Sequence, residues 1–140
     1  MQLTKEFLYR FLREQKLAVV SSLSANGAVE SALVGIAVTG DLEIIFDTEK
    51  SSRKYRNILS HPAIAVVIGW ENETTVQYEG IATELAGEEA AAFREIYFAA
   101  FPGGRERFEK WPGLVHLLVR PKWIRYSNFN SPPQIGEMKW

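Results

Sequence analysis

The chain has 140 residues, of which 46% are hydrophobic and 24% charged, an ordinary balance for one domain with a sizeable core. Its formal net charge of −1 gives no global basic field for nucleic acid, so any anion site must be local. The absence of cysteine excludes disulfides, thiolate metal sites and a cysteine nucleophile. The charged N-terminus "MQLTKEFLYRFLREQK" does not read as a secretory signal, and no apolar run approaches the roughly 20 residues of a membrane-spanning helix, so a cytoplasmic protein without a membrane partner is expected.

Taken in order, Thr4 can cap a first helix in which Phe7, Leu8, Phe11 and Leu12 share one face. "LAVVSSLS", residues 17–24, reads as a strand, Asn26-Gly27 as a hairpin turn, and "VESALVGIAV", residues 29–38, as the return strand. After Gly40-Asp41, "LEIIFD", residues 42–47, completes an expected three-stranded antiparallel meander. Ser51 or Ser52 can then open a second helix with Tyr55, Ile58 and Leu59 on its buried side. His61-Pro62 stops it, because the residue before proline is pushed out of the helical region. "AIAVVIGW", residues 63–70, is apolar almost throughout and predicts a strand covered on both faces.

"TVQYEGIATEL", residues 75–85, is a long strand with a bulge or bend at Gly80. "GEEAAAFREIYFAAF", residues 87–101, is a third helix, with Glu88 and Glu89 placed to compensate its dipole. "PGGRERFEKWPG", residues 102–113, reads as a loop with room for one helical turn, "VHLLVRPKWIRYSNF", residues 115–129, as a last strand, and the remainder as a tail. Six strands joined mostly by hairpins, without βαβαβ alternation, predict a mainly β domain over residues 1–140. It is expected to be a six-stranded antiparallel barrel of Greek-key type with peripheral helices.

The familiar catalytic patterns are missing: no G-x-G-x-x-G, P-loop, H-E-x-x-H or G-x-S-x-G is present. His61 belongs to the helix stop, and His116 reads as a satisfied polar position in a strand. The start of the second helix stands out. Its free N–H groups, the hydroxyls of Ser51 and Ser52, and the charges of Arg53 and Lys54 directly follow a strand end at Asp47-Thr48. Such a convergence suits a phosphate, and a solvated helix face is the competing reading.

Context favours the phosphate. The pattern T-x-x-x-S-R-K-x-x-x-I-x-x-x-P, Thr48 to Pro62, followed by Trp70, resembles the FMN-binding split-barrel family, best known for the pyridoxamine 5′-phosphate oxidases. "LAVVSSLSANG", "YEGIATEL" and "PKWIRYSNF" extend the resemblance over most of the chain. The resemblance implies a homodimer of split β-barrels with FMN in a groove at the subunit interface. It implies that Ser52, Arg53 and Lys54 hold the flavin phosphate, with Asp47 and Thr48 beside the ribityl chain and ring. It further implies backbone contacts to the isoalloxazine from Ala32, Leu33 and Val34 on to Ile36. A polar residue of the fifth strand, Thr75 or Gln77, would come from the partner, and the spacing to Gly80 favours Thr75.

Pyridoxamine phosphate oxidases also carry an arginine and a lysine on the second strand and an Arg-Leu-His-containing motif near the end. The corresponding positions here fall near Ala32 and Ala37, and "RYSNFNSPPQIGEMKW" lacks that motif. The reading is therefore an FMN-binding flavoprotein, an oxidoreductase for a small, unidentified substrate that is not pyridoxamine phosphate. The alternative is a non-catalytic module that binds or carries a flavin, a deazaflavin or haem. The small residues Ala32, Gly35 and Ala37 either admit a planar ring or pack tightly, and Trp70, Trp111, Trp123 and Trp140 either wall a flavin or pack in a core or interface.

Overall fold

The computed structural model describes residues 1–140. It contains helices α1 (Lys5–Glu14), α2 (Arg53–Ser60), α3 (Ala90–Ala100) and α4 (Gly103–Lys110). Its strands are β1 (Leu17–Leu23), β2 (Val29–Gly35), β3 (Ala37–Val38), β4 (Ile44–Glu49), β5 (Ala63–Ile68), β6 (Thr74–Glu84), β7 (Leu114–Asn128) and β8 (Gln134–Lys139). No helix is long and apolar enough to cross a membrane.

One antiparallel sheet runs in the order β2-β1-β5-β6-β7-β4-β3. β2 and β3 stand at its two ends, yet only Ile36 separates them in the chain. The return strand expected over 29–38 is thus a single segment that pairs with β1 first and β4 afterwards, and this curls the sheet into a barrel. Counted that way, the barrel has the six strands expected. β5 and β6 form a hairpin, β7 returns beside β6 after the connection through α3 and α4, and β4 lies on the far side of β7, a Greek-key order.

Several expectations are corrected. The meander over 17–47 is made only in part: the 29–38 segment pairs antiparallel with β1 and then with β4, but β4 shares only two residue pairs with it and six with β7. The tail contains β8, which pairs with Trp123–Asn128. β4 flanks only the first half of β7, so the second half would otherwise be a bare edge. Residues 103–110 form α4 instead of a loop. Its two starting glycines are poor helix formers, but a Cβ at Gly104 would come within 3.2 Å of the Tyr97 ring, so the helix gains a close approach to α3.

The barrel interior is filled by residues such as Val20, Ile44, Phe46, Val66, Ile68, Val76 and Val119. α1 plugs one end with Leu8 and Leu12, and Phe7 meets Tyr126 edge-on at 4.9 Å. Thr4 caps it as expected, accepting from the Phe7 N–H at 3.1 Å. The buried Tyr78 hydroxyl is satisfied by Leu42 O at 2.8 Å and Val119 O at 3.1 Å. The bulge at Glu79/Gly80 needs glycine, since a Cβ there would lie 2.5 Å from Arg120 O.

β5 departs from its expected double burial. It alternates strictly: Ile64, Val66 and Ile68 point inward, while Ala63, Ala65 and Val67 face out. Val67 opposes Val19, which opposes Leu33, and Leu33 is 61% exposed. The run is continuous because both faces are apolar, and the outer one is left bare in a single chain.

On the opposite side, α3 and α4 cover β4 and β7 with a second core around Ile45, Leu85, Tyr97, Phe98 and Leu118. His116 is fully buried there, between the rings of Tyr97, Phe98 and Phe108 at 5.0, 5.6 and 5.2 Å. Neither ring nitrogen has a hydrogen-bond partner, contrary to the satisfied position expected. Burial pushes its pKa down to about 4 against the favourable field of Asp47, so the ring is neutral at pH 7. The unfolded imidazole takes up its proton near 6.5 and the folded one only near 4, so stability is complete above 6.5 and is lost as pH falls toward 4. Urea unfolding is expected to show a loss of about 1–3 kcal/mol over that window from this group. His116→Leu should flatten that part of the profile, and an unaltered slope would remove His116 as its source.

Candidate functional site

Strand alternation decides what the end of β4 offers. Phe46 and Thr48 turn toward the barrel and α2, whereas Ile45 and Asp47 turn toward α3 and α4. Thr48 is buried, and its hydroxyl lies 2.8 Å from that of Ser52. Ser52 is the N-cap of α2, its Oγ accepting from the Tyr55 N–H at 3.2 Å. Thr48 therefore fixes the hydroxyl that starts the helix.

α2 docks on β1 and β2 through an apolar and a polar anchor. Ile58 is buried, and the buried Asn57 amide donates to Ser22 Oγ at 3.0 Å and Glu30 Oε1 at 2.9 Å. At its far side the Tyr55 hydroxyl donates to Glu84 at 2.6 Å. These contacts aim the first turn across a cleft of about 100 Å³ bounded by Ser22, Glu30, Ser31, Ala32, Arg53 and Lys54. Arg53 pairs with Glu30 at 3.3 Å, whereas Lys54 has no acid within bridging distance. The cleft thus holds two cations and one carboxylate, with one positive charge uncompensated.

The structure brings Ser52, Arg53, Lys54, Thr48 and Ala32 together. Ser51 is exposed beside them and donates to Glu49 at 3.3 Å. Val34 is buried in the barrel core and Leu33 faces the bare outer sheet. Asp47 is elsewhere: its carboxylate lies 3.5 Å from Arg107 of α4. Thr75 and Gln77 are on the outer sheet face, half-buried and exposed. Gln77 opposes Val67, which opposes Val19, which opposes Leu33, so about 14 Å of strand spacing separates it from β2 in the same chain.

Two of the small residues of β2 and β3 pack tightly. A Cβ at Gly35 would fall 2.8 Å from the Phe101 ring, and Ala37 is buried in the second core. A planar ring does approach the backbone at Gly35, but it belongs to Phe101. Ala32 alone opens toward the cleft. The tryptophans join neither core. Trp70, Trp111 and Trp140 are exposed, and Trp123 donates to Glu137 at 3.4 Å. Sequence reasoning missed Glu30 and Asn57. The strand period places Glu30 on one face with Ala32 and Val34, which was the available signal, while Asn57 sits mid-helix, where a polar residue ordinarily faces water.

Comparisons with known proteins identify the fold and its family. The family model described as pyridoxamine 5′-phosphate oxidase matches residues 4–128. A pyridoxine/pyridoxamine 5′-phosphate oxidase of Burkholderia ambifaria is 28% identical over 144 residues, which cover 94% of this chain but 65% of that protein, so the chain spans only part of this relative's length. Among solved structures, a haem-binding protein of Mycobacterium smegmatis superposes with a TM-score of 0.82 at 14% identity, covering 99% of this chain and 59% of that one. HutZ, the haem storage protein of Vibrio cholerae, gives 0.74 at 13% identity, with 99% and 95% covered. These structures share the split-barrel fold. With its match running from Thr4, the cap of α1, to Asn128, the end of β7, the chain belongs to the pyridoxamine 5′-phosphate oxidase family.

Proposed function

We propose that the chain is an FMN-binding flavoprotein that works as a homodimer and acts as an oxidoreductase on a small substrate other than pyridoxamine phosphate. One observation carries this reading: Arg53 and Lys54 converge at the capped start of α2, facing the open backbone of β2 at Ala32. The donor set fits a phosphate monoester. Lys54 is free to meet it directly, Arg53 can exchange Glu30 for it, and the helix N-terminus adds N–H groups. Bound FMN would supply the redox chemistry, while the chain binds the phosphate, orients the ring along β2 and limits water access.

The second copy answers a problem of distance. Gln77 and Thr75 lie too far from their own α2 to reach its cleft, and they stand on an apolar sheet face that includes Leu33 and Val67. A second chain packed on that face covers it and delivers those side chains to the neighbouring clamp. The substrate reading rests on Ala32 and Ala37, neither of which can hold a second phosphate.

A second reading is a haem or flavin carrier. It is supported by the fold shared with the Mycobacterium smegmatis protein and by the lack of an evident acid or base in the cleft apart from the paired Glu30. Haem requires an axial ligand, and of the two histidines His116 is fully buried while His61 is exposed. The absorption spectrum of the purified protein separates the readings: flavin bands support the first, a Soret band the second. A colourless protein that cannot be reconstituted with FMN or haem overturns both.

Lys54→Ala should weaken FMN binding by about 1.5 kcal/mol or more, roughly tenfold in Kd, by fluorescence titration. An unchanged Kd would take Lys54 out of the site. Glu30→Gln should tighten FMN binding, because Arg53 loses its competing partner; weaker binding would instead make Glu30 part of the cradle. Leu33→Glu combined with Val67→Glu should convert the dimer to a folded monomer in sedimentation experiments, and a dimer that persists places the interface elsewhere.

A further inference from the structure

A second cleft, of about 310 Å³, opens where the chain passes from β2 to β3. Its floor is Ile36, Ala37 and Val38, all buried, and its walls are α1 and α3, the latter contributing Ile96, Ala99 and Ala100. No carboxylate lines it. Two cations guard it: Arg13 from the last turn of α1 and Lys16 from the link immediately before β1. Neither appears in any ion pair of the chain. Each is held against an aromatic ring, Arg13 at 5.6 Å from the centre of Tyr9 and Lys16 at 5.9 Å from that of Phe101.

The combination selects a ligand class. An exposed apolar wall at Ile96, Ala99 and Ala100 beside two unpaired cations favours a molecule with an anionic head and a short apolar body. A neutral molecule would leave both charges unused, and a cation would be repelled. The volume is at the lower end for small-molecule sites, about 300 Å³, so the body is a short chain or a single ring. We propose that this cleft binds a small amphipathic monocarboxylate, its head held by Arg13 and Lys16 and its apolar part laid against Ile96, Ala99 and Ala100 of α3. The site shares no residue with the Arg53-Lys54 cleft, so it stands or falls independently of flavin binding.

Octanoate is a suitable probe, titrated calorimetrically into the full chain, with octanol and octylamine as uncharged and cationic controls of the same length. Octanoate is expected to bind, with octanol and octylamine each weaker by about tenfold or more. Arg13→Gln combined with Lys16→Gln lies on exposed positions and should lower octanoate affinity by a similar factor with the circular dichroism spectrum unchanged. Ala99→Phe, which fills the wall without touching either charge, should also abolish binding. The absence of octanoate binding overturns the proposal. So does an equal affinity for octanol, or undiminished binding in the charge-neutral variant, which would place the molecule on the apolar outer sheet instead.

Discussion

A single ten-residue segment must serve two edges of one sheet, and the rest of the molecule follows from that constraint. Val29–Gly35 pairs with β1 and Ala37–Val38 pairs with β4, so the chain has to change partners at Ile36. There its N–H still donates to Lys16 O at 3.0 Å, the next position of the β1–β2 register, and the very next residue joins β4. The change of partner fixes which way each side chain faces. Glu30 and Ala32 meet α2, Leu33 is sent to the outer sheet, Gly35 receives Phe101, and Ala37 enters the second core. A slip of one residue would exchange these faces and dismantle both clefts together.

β4 shows the same economy. Its two-residue period gives Thr48 to the start of α2 and Asp47 to Arg107 of α4, so adjacent residues organise opposite sides of the barrel. The side with α2 is polar and partly open. The side with α3 and α4 is a closed aromatic cluster around His116. Helix positioning on the first side relies on the cap hydrogen bond that Ser52 accepts and the bond that Asn57 donates, and on the second mainly on ring packing.

Local signals made much of this legible in the sequence. Thr4, Ser52 and His61-Pro62 marked helix ends because capping and proline effects act over a few residues. The split of the return strand was not legible, because only pairing with β4 across the closed barrel interrupts an otherwise regular alternation. β8 was missed for a related reason: "QIGEMK" places only Gly136 and Met138 toward the protein, too little apolar content to read as a strand. At the site, Ser52-Arg53-Lys54 was visible as a charge cluster at a cap. Glu30, more than twenty residues upstream, becomes its neighbour only through the docking of α2 on β2. The bare face of β5 was misread because continuous apolarity cannot distinguish cover by a helix of the same chain from cover by something outside it.

The ion pair between Arg53 and Glu30 gives the cleft an electrical threshold. With the pair closed, an arriving anion meets a net field of one positive charge, which a monoanion neutralises. A dianion exceeds that field and gains fully only by displacing Glu30 and recruiting Arg53, a rearrangement that replaces one ion pair with another. Glu30 is thus a counterion built into the chain, and for any anion that entered the cleft its valence would count as well as its shape.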